Sequence, residues 1–430
     1  MPSYRFIPNP GHEEISANQL AGLRWTVDHV VKGSDFYRER MASCGVAGSG
    51  DIRTLDDIRK LPLTTTADLR DGYPYPLLSV PLDKVVRLHA SSGTTGKRKV
   101  MAYTQKDTET FSLQMARCFE LAGLTSEDRV QVAVGYWLWT AGIGFQLGCE
   151  KLGCMSIPIG PGNIEMHLQF LVDVGSTCLG STASMALLLS EEVERNNLTD
   201  KIKLKKIIFG AEPHDEKMRR NFERKLGLED SFDIAGMTEM FGPGSALDCS
   251  CHTGLHYWAD LFIIEILDPE TLQPVPEGEV GEMVVTTLTK EASPLVRYRT
   301  GDLSRMVPGT CPCGLNMPRH DKIMGRSDDM IIFRGVNIYP GQISDVLQTF
   351  PEAAGEYNMQ LLRDEDGRDA MQIKVERSPS ADKGNDDNLA KAILRTIQQR
   401  IMVSPKVEIV DPGALPRFMG KAKRVEDKRF

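Results

Sequence analysis

Hydroxyls, glycines and a lysine crowd into residues 88–100, LHASSGTTGKRKV. Ser91, Ser92, Thr94 and Thr95 supply hydroxyl donors, Gly93 and Gly96 let backbone amides turn toward an anion, and Lys97 adds a point charge. Phosphate binding is the chemistry that suits them. The stretch is not a P-loop, which needs four residues between its glycines and then Gly-Lys-Ser/Thr opening a helix. Here only Thr94 and Thr95 separate Gly93 from Gly96, and Arg98 follows Lys97. The plain alternative is a turn with no ligand. In FDIAGMTEM, residues 232–240, Gly236, Thr238 and Glu239 form a second candidate. A hydroxyl beside a carboxylate can hold a phosphate oxygen and its Mg²⁺ together, because magnesium prefers oxygen ligands; a helix-capping Thr is the competing reading. Asp302, after Gly301 in RYRTGDLSR, suits two ribose hydroxyls, or simply a turn. Gly325, Arg326, Asp328 and Asp329 mark a hinge, where a few residues absorb a domain rotation. Gly420, Lys421, Lys423 and Arg424 make a basic tip, or a solvated charge run.

Sulfur and imidazole gather separately. Cys249, Cys251, His252 and His256 cluster in DCSCHTGLH, and Cys311 and Cys313 form CPCG. Two short Cys/His clusters joined by strands suit a closed tetrahedral Zn²⁺ site; reduced, buried thiols are the alternative.

These groups need elements to hold them. At 430 residues the chain exceeds one ordinary core, so two domains are expected. Its composition, 41% hydrophobic and 26% charged, is that of a soluble protein, and a net charge of −8 argues against a nucleic-acid surface. No apolar run reaches membrane-spanning length. The start, MPSYRFIPNPGHEE, lacks a basic segment followed by an apolar one, and nine scattered cysteines do not make a secreted disulfide framework. The expectation is a cytoplasmic protein with no nucleic-acid or membrane partner; a homodimer is admitted. Apolar spacing predicts helix across 14–42, with Thr66 capping a further helix. Residues 84–90 and 97–104 read as strands flanking the Ser/Thr/Gly loop, and a helix follows over 105–122. Strands and helices then alternate to about residue 210, which indicates a mostly parallel α/β sheet. After about 255 strands and turns dominate, and from about 326 strand and helix mix again. The predicted architecture is α/β: a large N-terminal domain of mixed sheets with helices (1–325) and a small, mobile α+β C-terminal domain (326–430).

Each motif is modest, but their order along the chain resembles the adenylate-forming superfamily of acyl-CoA synthetases. LPLTTTADL, SSGTTGK, FGAEP, CPCG and GRSDDMIIFRGVNIYPGQI resemble its phenylacetate–CoA ligase branch, from about residue 20 to the end. The resemblance implies that residues 91–97 grip the ATP β- and γ-phosphates. Gly210, Ala211, Glu212 and Pro213 would line the adenine slot. Thr238 and Glu239 would hold the α-phosphate and Mg²⁺, with Gly236 and Met237 beside the nucleotide. Asp302 would bind ribose, aided by Arg326. Asp328 would be the hinge, and Gly335 would let the pantetheine arm of coenzyme A pass. Lys421 would be the catalytic lysine, with Lys423 as the alternative. Relatives carrying CPCG point to Cys249, His256, Cys311 and Cys313 as a structural Zn²⁺ set.

Two departures stand out. The superfamily carries an aromatic residue before Gly-x-Thr-Glu that stacks on adenine; here it is Ala235, so Asp233 is expected to accept from the adenine amino group. In the acyl pocket, where Tyr136, Trp137, Ala235 and Gly236 are expected, the chain reads VGYWLWTAG, and indole volume from Trp137 or Trp139 would reshape the pocket. Trp139 as a core residue is the competing reading. The implied activity is AMP-forming ligation of an aromatic or arylacetic acid to coenzyme A. One alternative is adenylation of a coenzyme F420-type acceptor without CoA; another is a non-catalytic nucleotide-binding protein.

Overall fold

The computed structural model describes residues 4–91, 98–212, 214, 216–327, 331–333, 336–338, 340–363, 369–417 and 424–429. Two compact units form. The first comprises Met1–Ser181, Lys201–Phe209 and Glu229–Ile323, and the second Thr182–Asp200, Gly210–Leu228 and Met324–Phe430.

The main sheet of the first unit is mixed. Arg129–Val132 runs parallel to Met155–Ile157 on one side and to Cys178–Thr182 on the other. Lys206–Gly210 and Asp230–Met237 come next, followed by Gly242–Asp248, Leu255–Tyr257, Arg319–His320 and Met306–Val307. From Asp230–Met237 outward each neighbour is antiparallel. The expected parallel order therefore holds only where helices intervene. From Asp230 to Tyr257 the strands are joined by short connections that favour antiparallel return, and Arg319–His320 adds to the sheet from much further along the chain. A second antiparallel layer runs Phe262–Leu267, Gly281–Thr287, Tyr298–Ser304.

Local chemistry sets the element ends. The helix Gln105–Leu121 starts where Thr104 and Asp107 form a capping box, and it buries Phe111, Met115, Cys118 and Phe119. The expected long N-terminal helix is two, His12–Gly33 and Asp35–Ser43. Ser34 between them is extended, and a Cβ on Gly33 would lie 2.0 Å from the Ser79 carbonyl oxygen, so the chain passes another segment at the break. The cap of Thr66–Asp71 is Thr65, not Thr66, because Thr65 Oγ1 accepts from the Asp68 amide. Arg87–Ala90 and Val100–Tyr103 pair as the expected hairpin, shorter than predicted at both ends.

In the second unit, the strands Lys406–Val410, Asp369–Arg377, Ala353–Arg363 and Val425–Asp427 lie side by side in that order. The helices Pro340–Leu347 and Asp386–Ile401 supply Ile343, Val346, Ile393 and Ile397 to its core. This part is α+β. No helix among the described residues is long and apolar enough to cross a membrane.

Candidate active site

In Asp230–Met237, Phe232 and Ile234 face the core while Asp233, Ala235 and Met237 are only partly buried. The strand runs into a 3₁₀ turn, Thr238–Met240, with no side-chain cap, so Thr238 is not a helix-capping Thr. Phe241 (φ 65°) and Gly242 (φ 97°) reverse the chain. Thr238 and Glu239 are both buried at this corner. Thr238 Oγ1 lies 3.5 Å from Thr140 Oγ1. Glu239 forms an ion pair with Lys99, and Tyr298 Oη donates to its Oε1 at 3.3 Å. Tyr298 Oη is in turn 3.1 Å from Thr66 Oγ1. Burial opposes ionisation of Glu239, but the Lys99 ammonium overrides it and holds the carboxyl below its ordinary range. A buried, ionised carboxylate beside a hydroxyl results.

The strands also explain Gly236. A Cβ there would lie 2.4 Å from the Gly242 carbonyl oxygen and 2.7 Å from Pro243 Cα, so only glycine fits. Asp302 occupies no ordinary turn. Glu282 and Val284 oppose Leu303 and Arg299, so Thr300–Gly301–Asp302 bulge out of the strand Tyr298–Ser304. Gly301 (φ 77°) supplies the conformation the bulge needs. Glu282 pins it, accepting from the Arg299 guanidinium at 3.1 and 2.6 Å and from the Gly301 amide at 3.2 Å. Asp302 itself is only partly buried.

At the acyl-pocket stretch, Tyr136 is partly buried with no partner for its hydroxyl among the described residues, and its ring lies 2.5 Å from where a Cβ on Gly142 would stand. Burial pushes that phenol up to about 12, so it stays protonated. Trp139 packs on the core margin and lies against Gly135. Trp137 is 97% exposed and left-handed (φ 65°), a strained backbone for a bulky residue. In this structure its indole faces solvent. His89, two residues before Ser91, is buried, its Nε2 has no partner among the described residues, and desolvation holds it down to about 4.

Ser91 donates its amide to the Lys99 carbonyl, and its hydroxyl has no partner among the described residues. Ser92, Gly93, Thr94, Thr95, Gly96 and Lys97 lie outside the described residues, as do Pro213, Asp328, Gly335, Lys421 and Lys423. In the second unit, Gly210 ends a strand, Ala211 is left-handed (φ 68°), and Glu212 Oε1 accepts from the Ser184 amide at 2.5 Å, at the start of Ala183–Arg195. Arg326 is partly buried.

The Cys/His residues converge. Leu247 pairs with His256 and Asp248 with Leu255, which brings Cys249 back to His256. Arg319 pairs with His256, and the hairpin from Met306–Val307 to Arg319–His320 carries Cys311 and Cys313 in its loop. Ligand atoms of Cys249, His256, Cys311 and Cys313 lie within 4.8 Å of one another. His256 Nδ1 is 2.7 Å from the Met317 carbonyl, which fixes the proton there and leaves Nε2 free, 3.3 Å from Cys313 Sγ. Burial holds this imidazole down to about 4, so it is neutral. His252 is engaged elsewhere, between Asp248 and Asp230 at 2.9 Å each.

Residues 47–288 match the model of the AMP-binding enzyme family, and 335–429 match the AMP-binding enzyme C-terminal domain. The phenylacetate–coenzyme A ligase of Aromatoleum evansii is 41% identical, with 98% of this chain and 96% of that protein covered. The ligase of the same name from Escherichia coli K12 is 40% identical over 97% and 95%. The chain belongs to the AMP-binding enzyme family. Among solved structures, 2-hydroxyisobutyryl-CoA ligase in the postadenylation state with R3-HIB-AMP superposes with a TM-score of 0.88. It is 26% identical, with 98% of this chain and 91% of that chain covered.

Membership of the AMP-binding family draws attention to the loop, the Thr-Glu corner and Asp302, but three residues of the corner carry no such signal. Lys99 follows the Ser/Thr/Gly loop and pairs with a carboxylate 140 residues further on. Tyr298 reads as part of Tyr-Arg-Thr-Gly-Asp, and Lys290 as an ordinary loop lysine. Lys290 is fully buried, donates to the Glu239 main-chain carbonyl at 2.8 Å, and is held down to about 8 by desolvation. Only long-range packing identifies them.

Proposed function

We propose that this chain activates an aromatic or arylacetic carboxylic acid with ATP and passes the acyl group to coenzyme A, releasing pyrophosphate and then AMP. The observation that carries the reading is the buried Thr238–Glu239 corner, hydroxyl and ionised carboxylate side by side, in a chain about 40% identical to phenylacetate–CoA ligases over nearly its whole length.

A free carboxylate is a poor acyl donor, since oxide would have to leave. Attack of a carboxylate oxygen on the α-phosphorus forms the acyl–phosphate bond and breaks the bond to pyrophosphate, which departs. The CoA thiolate then attacks the acyl carbon and AMP leaves. In the first step Thr238 would hold an α-phosphate oxygen, and Lys421 would meet charge gathering there. Each such preorganised group is worth about 3 kcal/mol of barrier. The Glu239 carboxylate fits Mg²⁺, which would supply charge neutralisation on the phosphates. Ser91, whose hydroxyl has no partner among the described residues, would begin the pyrophosphate grip that residues 92–97 would complete. Asp302, projected on its bulge, would accept from the ribose hydroxyls. Tyr136, with Ala235 and Gly236, would border the aryl group.

Cys249, His256, Cys311 and Cys313 would hold a structural Zn²⁺. Three sulfurs and one imidazole nitrogen with its tautomer fixed make a closed donor set that leaves no position for substrate. Zinc there would tie two hairpins of the first unit together.

The test is pyrophosphate release by the full chain with ATP, Mg²⁺ and phenylacetate or a substituted relative, followed by AMP release on adding CoA. Acid-dependent pyrophosphate release and thioester formation are expected. Nucleotidyl transfer to a deazaflavin without CoA, or tight ATP binding with no turnover on any acid, would contradict the reading.

A further inference from the structure

We propose that Tyr103, Gln114 and Lys290 form a carbonyl clamp that positions Thr238 and Glu239 for adenylation, with Lys290 as its central positioning residue. The proposal rests on the reading of Thr238 and Glu239 given above.

A short 3₁₀ turn leaves its last carbonyls without intrahelical partners. Here three successive carbonyls, those of Thr238, Glu239 and Met240, each accept from a buried side chain carried by a different segment. Tyr103 Oη donates to Thr238 O at 2.8 Å, Lys290 Nζ to Glu239 O at 2.8 Å, and Gln114 Nε2 to Met240 O at 3.3 Å. Gln114 also reaches Pro243 O at 2.8 Å, past the chain reversal. All three donors are fully buried. The functional side chains of the turn are held separately: Glu239 by Lys99 and Tyr298, Thr238 against Thr140. The clamp grips only backbone, so it can set where the hydroxyl and carboxylate stand without occupying either.

Lys290 is the costly member. Taking an ammonium wholly out of water is unfavourable, and an apolar residue of similar volume is often as stable or more so. Its surroundings compensate in part. Its Nζ lies 4.7 Å from the centroid of the Tyr103 ring and 4.8 Å from that of Phe241, which suits a cation over aromatic faces. The segment that carries it is fixed in turn. Asp107, fully buried, accepts from the Glu291 and Ala292 amides at 2.8 and 2.9 Å, as well as capping its own helix through the Thr104 amide. A continuous path thus runs from helix Gln105–Leu121 through Asp107 and the 291–292 amides to Lys290 and the Glu239 carbonyl. Misplacing a catalytic group by 1 Å costs about 10²-fold in rate, which is the scale on which such a path matters.

The experiment is a double-mutant cycle in the full chain, read by phenylacetate-dependent ATP–pyrophosphate exchange across a Mg²⁺ titration. Thioester formation from supplied phenylacetyl-adenylate and CoA is measured in parallel. Lys290→Met keeps length and removes the donor; Tyr103→Phe removes only the hydroxyl and keeps the ring. Lys290→Met is expected to slow exchange about 10²-fold and Tyr103→Phe about tenfold, both raising the Mg²⁺ needed for half-maximal rate. Thioester formation should change far less. In a Glu239→Gln background, Lys290→Met should add little, because it acts through Glu239. Full additivity, or equal loss in both half-reactions, would overturn the clamp and leave a merely structural lysine. If Lys290→Met does not fold, the same outcomes are read from Tyr103→Phe. Glu239→Gln with normal exchange would instead overturn the reading of Glu239 on which the clamp rests.

Discussion

Replacing Lys99 by methionine removes the ammonium that neutralises Glu239 and leaves a carboxylate whose side chain is 3% exposed. Among the described residues, the Tyr298 hydroxyl at 3.3 Å is then the side-chain donor left to that carboxylate, with the buried Lys290 ammonium on the main-chain carbonyl of the same residue. Breaking a buried ion pair from one side costs about 3–5 kcal/mol. Lys99 is 20% exposed, so water screens part of the pair and a loss of about 2–3 kcal/mol is expected for the free protein. The same vacancy favours another cation. If Glu239 takes Mg²⁺ with ATP, the metal restores the missing charge, and the stability gap between Lys99→Met and the natural chain should narrow to below about 1 kcal/mol at saturating Mg·ATP. By linkage, the variant then binds Mg·ATP more tightly by the same free energy, about tenfold for each 1.4 kcal/mol. Urea unfolding followed by tryptophan fluorescence, with and without Mg·ATP, measures both. A gap that Mg·ATP leaves unchanged would refute the exchange of Lys99 for a metal at Glu239. No loss in the free protein would refute the ion pair's importance.

Other outcomes follow from the same geometry. Cys313→Ser should lower zinc from about one ion per chain to near zero by elemental analysis, together with thermal stability; unchanged metal content would remove the zinc assignment. Gly236→Ala drives a Cβ into backbone atoms 2.4 and 2.7 Å away, so the urea midpoint should drop by an amount worth about 1–3 kcal/mol or more, and an unaltered midpoint would contradict the packing of the two strands. His89, held down to about 4 by burial, is neutral in the fold but takes a proton below its ordinary 6.5 once unfolded. Its contribution is therefore complete above pH 6.5 and is lost as pH falls toward 4, by up to roughly 3 kcal/mol; His89→Gln should flatten that acid limb, and an unchanged limb would place the sensitivity elsewhere.

The sequence discloses what local chemistry decides. The helix expected over 105–122 forms as Gln105–Leu121 because Thr104 and Asp107 cap it and apolar residues fall on one face. The strands about the Ser/Thr/Gly loop form as Arg87–Ala90 and Val100–Tyr103, although Val85 and Val86, which suggest the first of them, lie just before it. Where two residues compete locally, the reading slips by one, as with Thr65 and Thr66. What depends on distant contact is hidden. The break at Ser34 occurs where Gly33 passes Ser79. The bulge that projects Asp302 is set by Glu282, on a neighbouring strand. Trp137 invites a pocket role by residue type, yet its backbone turns it to solvent. The Cys/His motif announces metal chemistry and the resemblance points to His256; the physical reason it is His256 and not His252 lies in the strand register and the two aspartates that hold His252. For the corner itself, Thr238 and Glu239 are legible, whereas Lys99, Tyr298 and Lys290 are not. Nothing in their local sequence says which carboxylate or carbonyl they face.

The most direct test of the central claim is a single turnover in two stages. Protein in excess is mixed with ATP, Mg²⁺ and labelled phenylacetate without CoA, quenched and analysed, and CoA is then added to a parallel sample. The account predicts protein-bound acyl-adenylate and an equal amount of pyrophosphate in the first stage, converted to equal amounts of acyl-CoA and AMP in the second. Formation of ADP and phosphate, or an adenylate that CoA does not consume, would contradict it.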